Sequence, residues 1–133
     1  MRPGKPPRNQ GAKRGFTLIE LLVVLAVLAI LASMVAPMYM DRVEDAREAV
    51  LKQNLAGLRQ AIDQYYRDKG RYPGNLNALV EDRYIRSIPV DPVTQSDTTW
   101  VAVPPSPGVA NAVFDVKSGA TGKARDGTEF AQW

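Results

Sequence analysis

GFTLIELLVVLAVLAILASMVAPMYM, residues 15–40, decides how the rest of this chain is read. Leu21 to Met40 is a run of 20 residues interrupted only by Ser33, Pro37 and Tyr39. As a helix rising about 1.5 Å per residue it spans about 30 Å, the thickness of a bilayer's hydrocarbon core. Immediately before the run stands a carboxylate, Glu20. A charge near the hydrocarbon centre costs roughly 2–3 kcal/mol or more. Two readings of Glu20 are open: a carboxylate snorkelling to the interface at low cost, or one kept because something pairs with it.

Upstream, residues 1–15 hold Arg2, Lys5, Arg8, Lys13 and Arg14, three prolines and no acidic residue. That composition buries nothing. The positive leader places itself in the cytoplasm and the chain beyond Met40 outside it. The apolar run is too long for the hydrophobic core of a cleaved secretory signal, and Ala-Ser-Met and Ala-Pro-Met near its end are poor cleavage sites. The processing-like junction lies before the run, at Gly15-Phe16. The plain alternative there is a signal anchor with an incidental glycine.

Charge and composition bound the chemistry. The net charge is +3, but the five leader cations account for it: beyond residue 15 the chain has 12 basic and 14 acidic residues. A nucleic-acid partner is therefore not expected, since counterion release needs a basic patch on the working domain. There is no cysteine and no histidine. Disulfides, thiolate sites, Ser-His-Asp and Cys-His catalysis and histidine-zinc centres are all excluded. Asp91, Asp97, Asp115 and Asp126 show no sign of a shared pocket that would split their pKa values, and capping or solvated roles fit them better. The expectation is no enzyme.

Downstream, the helical period continues with a narrower apolar stripe through Val43, Ala46 or Arg47, Val50, Leu51, Leu55, Leu58, Ile62 and Tyr65. Glu48–Lys52 and Arg59–Asp63 have i,i+4 spacing. Gly70 reads as the residue after the helix end. One helix is expected over 16–68, about 80 Å long, kinked locally at Pro37. Tyr72-Pro73-Gly74-Asn75 is a turn. Asn75 caps a short helix over 76–84, with Leu76, Leu79 and Val80 inward. Strands are expected over 98–103 and 112–117, divided by Pro104-Pro105-Ser106-Pro107-Gly108. The divisions are a leader (1–15), a membrane or filament-core helix (16–40), its amphipathic continuation (41–69) and a small head (70–133) with a short antiparallel sheet.

GFTLIELLVVLAVLAILASMVAP resembles the N-terminal signature of type IV pilins and type II secretion pseudopilins. YYRDKGRYPGNLNALVEDRYI and the tail DVKSGATGKARDGTEFAQW are similar to the same regions of the major, G-type pseudopilin. The resemblance implies a pilin-like α+β fold. It implies cleavage after Gly15 by a prepilin peptidase and N-methylation of Phe16. It implies that Glu20 pairs with the Phe16 amine of a neighbouring subunit, and that the helix loosens around Pro37 when subunits pack, against the plain reading of a proline-tolerant membrane helix. It also implies a helical homopolymer with minor pseudopilins, an inner-membrane platform and a cytoplasmic ATPase as partners, and a filament in the periplasm that drives export across the outer membrane. In the family the tail binds calcium. Here Asp126 remains with Asp115 and Glu129 nearby, but Thr121 replaces an expected aspartate, and calcium wants six to eight oxygens. A glycine-rich solvated loop without cofactor is the preferred expectation. The alternatives are a type IV pilin or minor pilin-like subunit serving adhesion, motility or DNA uptake, and a membrane-anchored binding module for which Gly15 and Glu20 would be dispensable.

Overall fold

The computed structural model describes residues 2–7, 11 and 14–133. Arg8 and Lys13 of the leader lie outside the described residues. The chain is α+β: helix α1 (Leu18–Lys69), helix α2 (Leu76–Glu81), strands β1 (Val101–Val103) and β2 (Asp115–Lys117), and a 3-10 turn at Phe130–Gln132. It divides into two compact units, residues 1–39 and 40–133.

In the first unit every described side chain is exposed, including the whole apolar run. The helix containing it is long and apolar enough to cross a membrane. The helix starts two residues later than the pattern suggests, because Thr17 caps it. The Glu20 N–H donates to Thr17 Oγ1 at 3.2 Å, and the Leu21 N–H to the Thr17 carbonyl at 3.2 Å.

In the second unit, Leu51, Leu55, Leu58, Ile62 and Tyr65 of α1 form one buried stripe. They pack with Leu79, Trp100, Val113, Val116, Ala120, Ala124 and Phe130. Each fully buried aliphatic side chain contributes about 1.5–3 kcal/mol. The stripe begins later than expected. Val43 is half-buried, and Ala46, Arg47 and Val50 are exposed, because no head element reaches those turns with an apolar face. Lys69 ends the helix and Gly70 follows at φ 68°, its N–H donating to the Tyr66 carbonyl at 2.8 Å. That conformation is one glycine adopts without penalty.

Asn75 does cap α2, its Oδ1 accepting from the Ala78 N–H at 2.9 Å. The helix stops at Glu81 rather than Tyr84. Arg83 takes φ 64°, and the Tyr84 and Ile85 N–H groups both turn back to the Leu79 carbonyl. Both strands are shorter than their composition suggests. Thr99 and Trp100 are drawn off by the neighbouring loop: Thr99 Oγ1 lies 2.6 Å from Thr94 Oγ1, and Trp100 Nε1 donates to the Pro89 carbonyl at 2.8 Å. Val113 is held by the Pro73 carbonyl. What remains is an antiparallel pair with Val101 opposite Lys117, Ala102 opposite Val116 and Val103 opposite Asp115.

The polar seams of the head are satisfied. Asp91 is fully buried. Its Oδ1 accepts from the Val93 N–H at 2.8 Å, and its Oδ2 accepts from the Ser118 hydroxyl. The carboxylate is thus a loop clasp, in line with a capping role. Arg59 Nε donates to Asp115 Oδ1 at 2.7 Å, and Arg59 Nη2 to the carbonyls of Val116 and Trp133. Lys52 sits over the Trp133 ring, 4.6 Å from its centroid. Arg125 binds Asp45 at 2.8 Å, and its N–H donates to Glu48 Oε1 at 2.8 Å. Neither expected i,i+4 pair forms. Glu48, Lys52 and Arg59 instead bind the C-terminal segment, where charge-assisted bonds to fixed partners outweigh the few tenths of a kcal/mol of an exposed helical pair.

Candidate processing and assembly site

Arg14, Gly15, Phe16 and Glu20 line one open hollow at the start of α1. Gly15 precedes the helix in extended, exposed chain. A Cβ built there meets nothing within 4 Å, and the residue has no left-handed φ. The fold itself does not call for glycine at this position. Phe16 is 87% exposed.

Glu20 occupies the third position of the first helical turn, where a carboxylate opposes the positive end of the helix dipole. Among the described residues it has no ion-pair partner. Thr17 is the residue that sequence reasoning missed. Thr17-Leu18-Ile19-Glu20 fits the S/T-x-x-E capping pattern, which could have found it. The same four residues that carry the charged position therefore also set where the helix begins.

Pro37 lies inside α1, exposed. Lacking an N–H, it leaves the Ser33 carbonyl without its i+4 donor. Ser33 has its own local bond, Oγ donating to the Ile30 carbonyl at 2.6 Å.

The three acidic residues of the tail are not gathered into a cage. Asp115 Oδ1 accepts from Arg59 Nε and, at 2.7 Å, from the Val116 N–H. Asp126 Oδ1 accepts from the Thr128 N–H at 2.9 Å and the Thr128 hydroxyl at 2.6 Å. Those two bonds hold the Asp126 carboxyl below the usual carboxylate range. Glu129 pairs through its backbone with Lys123. Among the described residues no group of three or more acidic side chains converges as a metal site would require. The residues present do not fit a calcium cage built on carboxylates.

Residues 11–36 match the prokaryotic N-terminal methylation motif, and residues 38–132 match the model of type II secretion system protein G. Curated relatives include fimbrial proteins and type II secretion core proteins. The fimbrial protein EcpC of Eikenella corrodens is 32% identical over 121 residues, covering 87% of this chain and 78% of that protein. The type II secretion system core protein G of Pseudomonas aeruginosa is 37% identical over 94 residues, covering 59% and 66% respectively. The core protein G of Escherichia coli K12 is 29% identical over 137 residues, covering 91% of each. No solved structure gives a significant match. With a methylation motif at its start and a family match from residue 38 to residue 132, this chain belongs to the type II secretion protein G family, the G-type pseudopilins.

Proposed function

We propose that this protein is the structural subunit of a type II secretion pseudopilus and acts by polymerising through α1. The observation that carries the reading is the wholly exposed apolar face of residues 18–40 with a single carboxylate at its start. Such a surface is stable only in a bilayer or against other apolar helices. Cleavage after Gly15 creates an amine at Phe16. That cation and Glu20 of a neighbouring subunit, desolvated together, cost far less than either alone. The pair also fixes the axial register between helices, as buried polar groups do in coiled coils. Gly15 serves the peptidase, since neither packing nor φ needs it.

The subunit waits in the inner membrane with its leader in the cytoplasm and its head in the periplasm. The inner-membrane platform and its ATPase add it to the filament, which also takes minor pseudopilins. No catalysis is involved. The tail loop is held by Arg125, Arg59 and Thr128 rather than by calcium, so chelator leaves the melting of the head unchanged; a lower melting temperature in chelator would restore the metal reading.

A second reading, a fimbrial subunit displayed at the cell surface, rests on the Eikenella match, which covers 87% of this chain against 91% for the core protein G of Escherichia coli. One experiment separates them. A strain lacking the chain is complemented with the parent sequence or with Glu20→Val. Under the main reading the parent restores export of secreted proteins. The Glu20→Val chain reaches the membrane at normal levels but does not restore export. Restoration by Glu20→Val, or surface fibres without any change in export, refutes it.

A further inference from the structure

We propose that the exposed proline turn of one head, residues 104–109, docks in an uncharged groove beside Gly57 on a second copy of this chain; the inference rests on the filament reading. Although 23% of the chain is charged, Thr98 to Phe114 is 17 residues without a charge. Within that stretch residues 104–111 are all exposed. Ser106-Pro107-Gly108-Val109 is a type II turn, with Gly108 at φ 86° and the Val109 N–H donating to the Ser106 carbonyl at 3.2 Å. Three prolines pre-set its shape, so little freedom is lost on docking.

The groove consists of two adjoining hollows of about 310 Å³ each that share Gly57 and Ile85. Gln53, Asn54, Gln60 and Gln64 are among its other lining residues, none of which carries a charge. Glycine weakens a helix interior relative to alanine, and a Cβ at Gly57 would meet nothing within 4 Å. The fold does not require it, yet its missing side chain opens the groove. The Gln53 and Gln60 amides offer donors, Gln64 Nε2 being committed to Asp68 Oδ1 at 3.1 Å, to a segment that, being rich in proline, has carbonyl acceptors but few N–H groups.

Position makes the occupant a second copy. Gln53, Gly57, Gln60 and Gln64 recur at steps of four, three and four, on one side of the buried stripe of α1. Tyr66 lies on the other side. It stacks on Tyr72 at 4.4 Å, Tyr72 meets Phe114 edge-on at 5.4 Å, and the Phe114 N–H donates to the Val103 carbonyl at the base of the proline loop. Turn and groove thus flank the helix on opposite sides. A contact between unlike patches on opposite flanks joins copies head to tail, and with a rotation that closes no ring it propagates as an open helical polymer.

The chain has no cysteine of its own, so the test is direct. The full chain carrying Gly57→Cys and Ser106→Cys is expressed with its assembly machinery, and sheared filaments are oxidised. The double variant gives a ladder of dimers, trimers and longer disulfide-linked products, whereas each single variant stops at dimer at most. Filaments in normal yield without a ladder overturn the inference. Gly57→Leu, which fills the groove, guards against a double variant that does not assemble. Its head melts no lower than the parent's and its leader is removed, while filament yield falls several-fold; undiminished yield overturns the inference. If the parent chain forms no filaments, the filament reading itself has failed.

Discussion

Gly119→Ala is the sharpest test of the head. A Cβ at Gly119 falls 2.0 Å from the Thr99 carbonyl oxygen, 3.1 Å from its carbon and 3.3 Å from the Thr99 Cβ. The nearest obstacle is backbone, so no rotamer change relieves it. Movement would have to come from the chain on either side. Ser118 is tied to buried Asp91, and Thr99 is tied to Thr94. Overpacking a well-packed site costs typically about 1–3 kcal/mol, and the immovable neighbour puts this site at the upper end, about 3 kcal/mol. In a head of this size each kcal/mol lowers the melting temperature by roughly 4–8 °C, so a fall of roughly 12–24 °C is expected. Both tryptophans, Trp100 and Trp133, lie in the head. Their fluorescence in the detergent-solubilised full chain reports its unfolding without interference from the apolar half of α1. Gly57→Ala is the matched control. Its Cβ enters open space in a helix, and it raises stability by about 0.5–1 kcal/mol. Gly119→Ala melting within about 2 °C of the parent, well short of the shift expected from overpacking, would refute this packing of β1's approach against the loop after β2.

Three further outcomes concern the polar seams. Arg59→Met removes the guanidinium from Asp115 and from two carbonyls; with the pair partly exposed, the cost is about 1–2 kcal/mol in the same fluorescence melt, and no loss would show that these Arg59 bonds do not stabilise the head. Thr128→Val takes the hydroxyl bond from Asp126 and leaves the backbone one. The Asp126 carboxyl is depressed in the folded state, so the bond contributes stability above the unfolded pKa and loses it as pH falls through the folded one. The Asp126 side-chain resonance therefore titrates higher in the variant, and the parent's advantage over it shrinks in acid; an unchanged titration contradicts the geometry. Arg125→Glu turns attraction into repulsion against Asp41, Asp45 and Glu48. Hydrogen exchange over residues 41–50 then rises while the amides around Leu58 and Ile62 keep their protection, and Asp45→Arg in the same chain restores part of the loss.

The long helix was legible because two signals agree over many residues: an unbroken apolar run and then a three-four repeat ending at Gly70. The cap at Asn75 was legible for the same local reason. What the sequence hid was the competition for partners. Val43 to Val50 has the right spacing for a buried stripe, but spacing cannot say that no apolar element of the head lies beside it. Glu48–Lys52 and Arg59–Asp63 have the spacing of helical pairs, but Glu48, Lys52 and Arg59 are taken by residues 115–133, far along the chain. The strands were overestimated because Thr99 and Trp100 are good strand formers whose side chains are more useful to the 89–94 loop. At the N-terminal site one role was missed. Thr17 reads as part of a family signature, and only the helix start at Leu18 shows it working as a cap.

That site also holds the central claim: the leader is removed at Gly15 so that a new amine at Phe16 meets Glu20 of the next subunit. Intact-mass and N-terminal peptide mass spectrometry of the protein isolated from membranes tests it most directly. The account predicts a chain beginning at Phe16 and carrying one added methyl group on its amine. A chain still bearing residues 1–15 would contradict it, because no amine would then exist for Glu20 to bind.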